Sequence, residues 1–432
     1  MKNDTDKNSI ISIKLPEPGN FWRTLGAYIG PGLMVSVGYM DPGNWATDIA
    51  GGARFGYTLL SVILISNLFA IVLQHLSLKL GIATGQDLAE ACRAYFSKPV
   101  SIVLWLLAEV AIAACDLAEV IGSAIALNLL FHIPLSVGVV ITTLDVLLIL
   151  YFQNKGFRVL ESIVGGLVAV ILLCFLYEII VSNPNWLAVT HGLIPKPEIV
   201  TNPAMLYVAV GILGATVMPH NLYLHSSIVQ TRNFERTDEG RRSAIKFATI
   251  DSTASLGLAF FINSAILVLS AAAFHQSGNY HIADITDAHN LLDSLLGTKF
   301  ASVFFAIALL AAGQSATITG TMAGQIVMEG FLDLKITRWL RQLITRLIAI
   351  VPALFVTIYY GEHGTSELLV LSQVVLSLQL SFAVVPLVWF TSRSATMGVF
   401  TNSKLLTAIS WAITLVIVVL NVYLLISAWT SG

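Results

Sequence analysis

Gly38-Tyr39-Met40-Asp41-Pro42-Gly43-Asn44-Trp45 lies in the middle of an apolar stretch, and Gly214-Ala215-Thr216-Val217-Met218-Pro219-His220-Asn221 lies in the middle of another. Each places a proline and polar neighbours where a continuous helix is otherwise expected. Proline removes a helical donor and crowds the preceding turn, and Gly43 adds backbone freedom. Pro42, Gly43 and Pro219 are therefore read as helix-breaking positions. Non-helical backbone at membrane depth persists only where protein buries it or where it lines a cavity.

The rest of the chain makes the membrane setting plain. Of 432 residues, 11% are charged and 56% hydrophobic. Soluble domains have about 25% charged residues, so these charges are too few to coat a soluble protein of this size, and an all-α polytopic membrane protein is expected. A net charge of −2 gives no reason to expect nucleic-acid binding. Cys92, Cys115 and Cys174 are widely spaced and form no metal or disulfide pattern. No cleavable signal is expected, because the first apolar run is followed by many more and reads as a retained span.

A spanning helix takes roughly 20 mostly apolar residues. Spans are expected at 25–53, 57–80, 99–130, 134–153, 159–181, 204–231, 243–274, 300–327, 340–360, 367–390 and 404–429, numbered here 1 to 11. With the N-terminus inside, 20 Lys and Arg fall on the inner side and 3 on the outer side. The positive-inside rule then puts the N-terminus in the cytoplasm and the C-terminus outside the cell membrane. Residues 1–20 read as a disordered cytoplasmic tail, and segment 275–299 as a short surface helix over the mouth.

The two breaks fall in spans 1 and 6, five apart. Five is odd, so the second set of five spans runs inverted relative to the first. Paired interruptions in inverted halves point to a transporter's central site. Asp41 offers a carboxylate, Asn44 an amide oxygen and Met218 a soft thioether, and unwinding frees carbonyls such as those of Gly38 and Ala215. One anion with neutral oxygens suits a partly dehydrated divalent cation, and the sulfur favours late first-row metals over Mg²⁺ or Ca²⁺.

Span 3 carries Glu109, Asp116 and Glu119. At about 100° per residue these three lie within roughly an 80° arc of one helix face. Ionisable residues at membrane depth mark pathways or relays, so this acidic stripe is read as a proton route. His220 either passes protons or braces the broken helix, and Asp41 gives up its proton as the cation arrives. His75, His225, Gln74 and Asn263 read as packing residues. Gly320 and Gly324 read as a close-packing pair. Asp145 has no reading. With no nucleotide-binding loop and no His-Glu-x-x-His motif, neither an ATP-driven pump nor a zinc protease is expected, and the chain is not read as an enzyme. The rivals within reach are an amino-acid carrier of the same fold and a non-transporting receptor.

Three motifs together resemble the Nramp family of proton-coupled divalent metal transporters, in its bacterial manganese-transporting branch. They are Asp41-Pro42-Gly43-Asn44, Met218-Pro219-His220-Asn221 and Gly313-Gln314-Ser315-Ala316-Thr317-Ile318-Thr319-Gly320-Thr321-Met322-Ala323-Gly324. The resemblance implies a LeuT-like fold: a first five-helix repeat at 21–182, an extracellular loop at 183–203, an inverted repeat at 204–392 and an eleventh helix within 393–432. It implies import of Mn²⁺ and Fe²⁺, and also Cd²⁺, Co²⁺ and Zn²⁺, by symport with protons and alternating access. Asp41, Asn44, Met218 and the Ala215 carbonyl would hold the metal, joined in some states by Gln373. Asp116 and Glu119 would carry protons, with Arg346 as their charge partner. The ion, protons and the lipid bilayer are the implied partners; no resident cofactor and no obligate protein partner are expected. One departure is Gln379-Leu380-Ser381-Phe382-Ala383, where many members have proline in place of Ser381, so the usual bend of span 10 comes into question.

Overall fold

The computed structural model describes residues 13–14 and 20–431, except 143, 146–150, 153–154, 281, 283, 299, 334–337 and 360. The described chain is almost entirely helical. Span 1 is three helices, Phe21–Tyr28, Pro31–Gly38 and Pro42–Phe55. One turn of 3₁₀ helix, Gly56–Leu59, joins it to span 2, Leu60–Thr84. Span 3 is Lys98–Phe131 and span 5 Phe157–Ser182. Span 6 is Pro203–Thr216 and Pro219–Ile228. Span 7 is Asp238–Ser270, continued by a π turn, Ala271–His275. Span 8 is Ala301–Leu332, span 9 Arg338–Tyr359, span 10 Gly361–Thr391 and span 11 Lys404–Ser431. Of span 4, Leu135–Thr142 is helical, and much of its remainder lies outside the described residues. Eight helical stretches are long and apolar enough to cross a membrane. They cover every expected span except span 4 and span 9, whose apolar part is Leu347–Tyr359.

The expectations need three adjustments. Span 1 begins at Phe21 rather than 25 and has a second discontinuity at Ile29-Gly30, because Pro31 restarts the helix with Gly30 at φ +142°. The tail is not wholly unstructured, since Ile13 and Lys14 pair in parallel with Arg232 and Asn233. Span 10 stays helical from Gly361 through Thr391. There Ser381 meets Asn421 of span 11, whose amide lies 3.4 Å from the Ser381 hydroxyl and 2.7 Å from the Ser377 carbonyl. In the segment 275–299, where a short helix is expected, a helix is present at Ile285–Leu296.

Most Lys and Arg gather at one end of the bundle, called here the basic end. The Ile29-Gly30 discontinuity is pinned there. Arg158 donates to the Ala27 and Ile29 carbonyls at 2.7 and 2.8 Å, and Arg232 to the same two at 3.1 and 3.0 Å. Asp251 of span 7 accepts from the Gly32 amide at 2.7 Å and the Gly30 amide at 3.3 Å. Glu161 of span 5 pairs with Arg232 at 2.7 Å and Arg158 at 3.1 Å. A helix break exposes backbone donors and acceptors, and this network satisfies them with charged partners. It thereby ties span 1 to spans 5 and 7 and to the 6–7 connection.

At Gly30 the positive φ disfavours any side chain, and a Cβ would collide with the Glu161 carboxylate. Gly30→Ala is expected to destabilise the protein by about 1–3 kcal/mol. The readout is a melting temperature lowered by several degrees in detergent. Gly26→Ala, whose Cβ meets nothing within 4 Å, should show no loss.

Candidate metal site

The geometry of both breaks follows from backbone chemistry. A helical carbonyl bonds to the amide four residues on. Four residues after Gly38 stands Pro42, and four after Ala215 stands Pro219, and neither has an N–H. These two carbonyls therefore lose their helical partners. After the first break the helix restarts with Asp41 as its N-cap, the Asn44 amide donating to Asp41 Oδ1 at 2.9 Å. After the second it restarts from Met218, which is extended at φ −77° and ψ 124°.

Asp41, Asn44, Ala215, Met218, His220 and Gln373 are all buried, none more than 1% exposed. Asn44 Nδ2 lies 2.6 Å from the Tyr39 carbonyl, which also accepts from Asn263 Nδ2 at 2.7 Å. A carbonyl only accepts, so the amide nitrogen must face it and the Asn44 oxygen turns the other way. Asp41 Oδ2, Asn44 Oδ1 and Gln373 Oε1 then have no hydrogen-bond partner within the protein. A buried polar atom left so costs about 1–3 kcal/mol, and more if charged. Three acceptors in this state on converging elements match what a cation requires.

Their convergence shows in close packing. A Cβ on Gly38 of span 1 would strike the Asn221 amide of span 6. That amide is 3.4 Å from the Val35 carbonyl and 3.7 Å from Met218 Sδ. A Cβ on Gly43 would strike the Gln373 side chain of span 10, and one on Gly214 the Gln373 carbonyl. A Cβ on Gly122 of span 3 would overlap the Pro42 ring. Met218 shares a small buried cluster with Ala111 and Cys115 of span 3 and Leu376 of span 10. Trp45 anchors the second half of span 1, its ring centroid 4.9 Å from Phe175 of span 5 and 5.1 Å from Phe305 of span 8. Among the described residues there is no group of three or more His, Cys, Asp and Glu arranged to hold a metal. The donors gathered here are instead one carboxylate with amides, carbonyls and a thioether.

The acidic stripe lies beside this centre. Asp116 and Glu119 are buried, and span 8 accommodates them at Gly320, where a Cβ would lie 2.8 Å from Glu119 Oε1 and 3.4 Å from Asp116 Oδ1. The close-packing reading of Gly320 thus has a specific cause. Glu109 is half-buried and accepts from Trp105 Nε1 at 3.0 Å. Arg346 belongs to span 9, but its side chain lies outside the described residues.

The sequence reading missed two links. Cys115 sits one turn before Glu119, with its Sγ 3.4 Å from Glu119 Oε1 and 3.6 Å from His220 Nε2. It bridges the second half of span 6 to the stripe, and its four-residue spacing from Glu119 was the available signal. Tyr39, Gln74 and His225 form a buried chain, Gln74 Nε2 to Tyr39 Oη at 2.7 Å and Gln74 Oε1 to His225 Nδ1 at 2.9 Å. Residues read as packing therefore join a polar path that begins at Tyr39, whose carbonyl orients Asn44. Asp145 accepts from Gln314 of span 8 at 2.7 Å, which accounts for it.

Residues 32–427 match the model of the Nramp family, described as natural resistance-associated macrophage protein-like. The "Divalent metal cation transporter MntH" of a Nostoc species is 62% identical over 419 residues, covering 97% of this chain and 95% of that protein. A crystal structure of the Eremococcus coleocola manganese transporter, in complex with an aromatic bis-isothiourea substituted compound, superposes with a TM-score of 0.89 at 43% identity, covering 96% of this chain and 89% of that one. MhsT, solved in complex with L-phenylalanine, superposes at 0.62 with 15% identity, covering 90% and 98%, a likeness of fold alone. The architecture is therefore the LeuT-like one, two inverted five-helix repeats plus an eleventh helix with spans 1 and 6 broken, and the chain belongs to the Nramp family.

Proposed function

We propose that this chain imports divalent transition-metal ions, Mn²⁺ and Fe²⁺ and also Cd²⁺, Co²⁺ and Zn²⁺, by symport with protons across the cell membrane. The observation that carries the reading is the set of buried acceptors without partners at the paired breaks, Asp41 Oδ2, Asn44 Oδ1 and Gln373 Oε1. The relatives support it, since those most similar are named as divalent metal cation or manganese transporters. In this reading Asp41, Asn44, Met218 and the Ala215 and Gly38 carbonyls replace water around the ion, with Gln373 joining as the site closes. The ion is the substrate, and the protein acts as a transporter, not an enzyme. An organic substrate with its own carboxylate is disfavoured because Asp41 would repel it.

The repeats are taken as 21–182 and 204–392, joined by the loop 183–203, with 393–432 adding the last helix. The basic end faces the cytoplasm, as the Lys and Arg distribution requires, so the N-terminus is inside and the C-terminus outside. The Arg158–Glu161–Arg232–Asp251 network then serves as the inner gate, and its release lets span 1 swing and free the ion. Protons pass from Asp41 towards Asp116 and Glu119, with His220 beside them, Glu109 along the same face and Arg346 as the compensating charge.

Influx of Mn²⁺ into proteoliposomes, with a pH-sensitive dye inside, tests the reading. Asp41→Ala removes the site's only anion and is expected to weaken Mn²⁺ binding by about tenfold or more, the equivalent of one charge-assisted ligand; wild-type uptake by this variant would refute the site. For Met218→Ala, loss of the soft donor should admit Ca²⁺ and Mg²⁺ while Mn²⁺ uptake falls only modestly, and competition assays read the ratio. With Glu119→Gln, dye acidification should drop more than metal influx. Equal loss of both would assign Glu119 a structural role.

A further inference from the structure

The basic end holds an open polar pocket that the metal reading does not use. It has a volume of about 250 Å³ and is lined by His75 and Lys79 of span 2, Arg242 and Ile245 of span 7, and Val399, Phe400 and Thr401 of the 10–11 connection. Among the described residues no carboxylate lines it. Lys79 is 8% exposed, yet among the described residues its ammonium meets a neutral partner, Asn402 Oδ1 at 2.8 Å. That asparagine is in turn held by Thr391, at 3.0 Å from Asn402 Nδ2 to Thr391 Oγ1. Arg242 lies over the Phe400 ring with its Cζ 6.0 Å from the centroid. Among the described residues neither Lys79 nor Arg242 pairs with an acid. His75 Nδ1 is bonded to Thr249 Oγ1 at 2.9 Å, which leaves Nε2 as its remaining polar atom.

Burying an ammonium without a counter-ion costs several kcal/mol, and Asn402 occupies only one of its three donors. Elsewhere at this end the buried arginine, Arg232, has its carboxylate, so the bare charge at Lys79 is a local property and not a general feature of the surface. We propose that this cavity binds a phosphate-bearing anion. Lys79 supplies a fixed charge, Arg242 a planar fork suited to phosphate oxygens, and His75 and Thr401 further polar contacts. At about 250 Å³ the pocket has room for a phosphate group but not for a whole lipid. Val399, 63% exposed, sets an apolar lip beside it. A cationic pocket between spanning helices with such a lip suits the headgroup of an anionic phospholipid whose chains stay in the bilayer. Soluble phosphate shares the chemistry. Either source would brace span 2 and span 7 against the 10–11 connection.

The test uses the full-length protein, purified in detergent and stripped of lipid. Phosphatidylglycerol, phosphatidylethanolamine and inorganic phosphate are titrated separately, with binding read by native mass spectrometry and stability by melting temperature. Phosphatidylglycerol should bind tighter than phosphatidylethanolamine and raise the melting temperature. Arg242→Gln and Lys79→Gln should each weaken that binding by about fivefold. Lys98→Gln, an exposed charge at the same end, and Asp41→Ala should bind as the parent does, which separates this site from the metal reading. If inorganic phosphate alone produces the shift, and the same two variants lose it, the site stands with a soluble source. Arg242 is exposed, so its variant tests the idea even if Lys79→Gln fails to fold. Phosphatidylglycerol binding unchanged in Arg242→Gln, or no response to either phosphate source, overturns the proposal.

Discussion

A carbonyl four residues before a proline has no helical donor to meet, and inside a bilayer no bulk water replaces it. Pro42 and Pro219 impose that condition on Gly38 and Ala215 in two spans of opposite direction, and much of the central architecture answers it. Neighbouring side chains take up the other loosened backbone groups. Asn44 and Asn263 converge on the Tyr39 carbonyl, the Trp45 indole lies 3.3 Å from the Met40 carbonyl, and the Asn221 amide lies against Val35. These bonds fix the amides so that their oxygens, with the outer oxygen of Asp41, are left over. A protein that only had to be stable would fill such a place with hydrocarbon. The proposed ion is what makes the leftover acceptors an asset.

The same constraint is met differently at the Ile29-Gly30 discontinuity. There the loosened carbonyls and amides are satisfied by ions, two arginines on the carbonyls and Asp251 on the amides, with Glu161 neutralising the arginines. Arg232, Glu161 and Asp251 are themselves buried, so these charges are met by one another and by the loosened backbone rather than by water. In the proposed mechanism one break in span 1 holds the ion and the other lets it go. The pairing of Ile13 and Lys14 with Arg232 and Asn233 places those two residues against this second region.

Close packing explains why glycine recurs at both centres. Gly43 leaves room for Gln373, Gly38 for Asn221, Gly122 for the Pro42 ring, and Gly320 for the carboxylates of Glu119 and Asp116. Each lets one helix bring a functional group to another without an intervening side chain. Cys115 connects the second half of span 6 to the acidic stripe, since it touches both His220 and Glu119.

Much of this was legible in the residues alone. Length and charge depletion define the spans, the odd spacing of the two proline breaks implies inverted halves, and Asp41, Asn44 and Met218 are the donor types a transition metal needs. These features are local or periodic, so a linear reading reaches them. What the fold decided was contact between distant segments. The second discontinuity at Gly30 makes sense only once Asp251 and Arg232, over 200 residues away, meet it. Asn44's orientation depends on the Tyr39 carbonyl, Asp145's role on Gln314, and the bare charge of Lys79 on three segments that only folding brings together and that, among the described residues, offer it no acid. Hydrogen-bond satisfaction is a property of neighbours in space, and a sequence shows only neighbours along the chain.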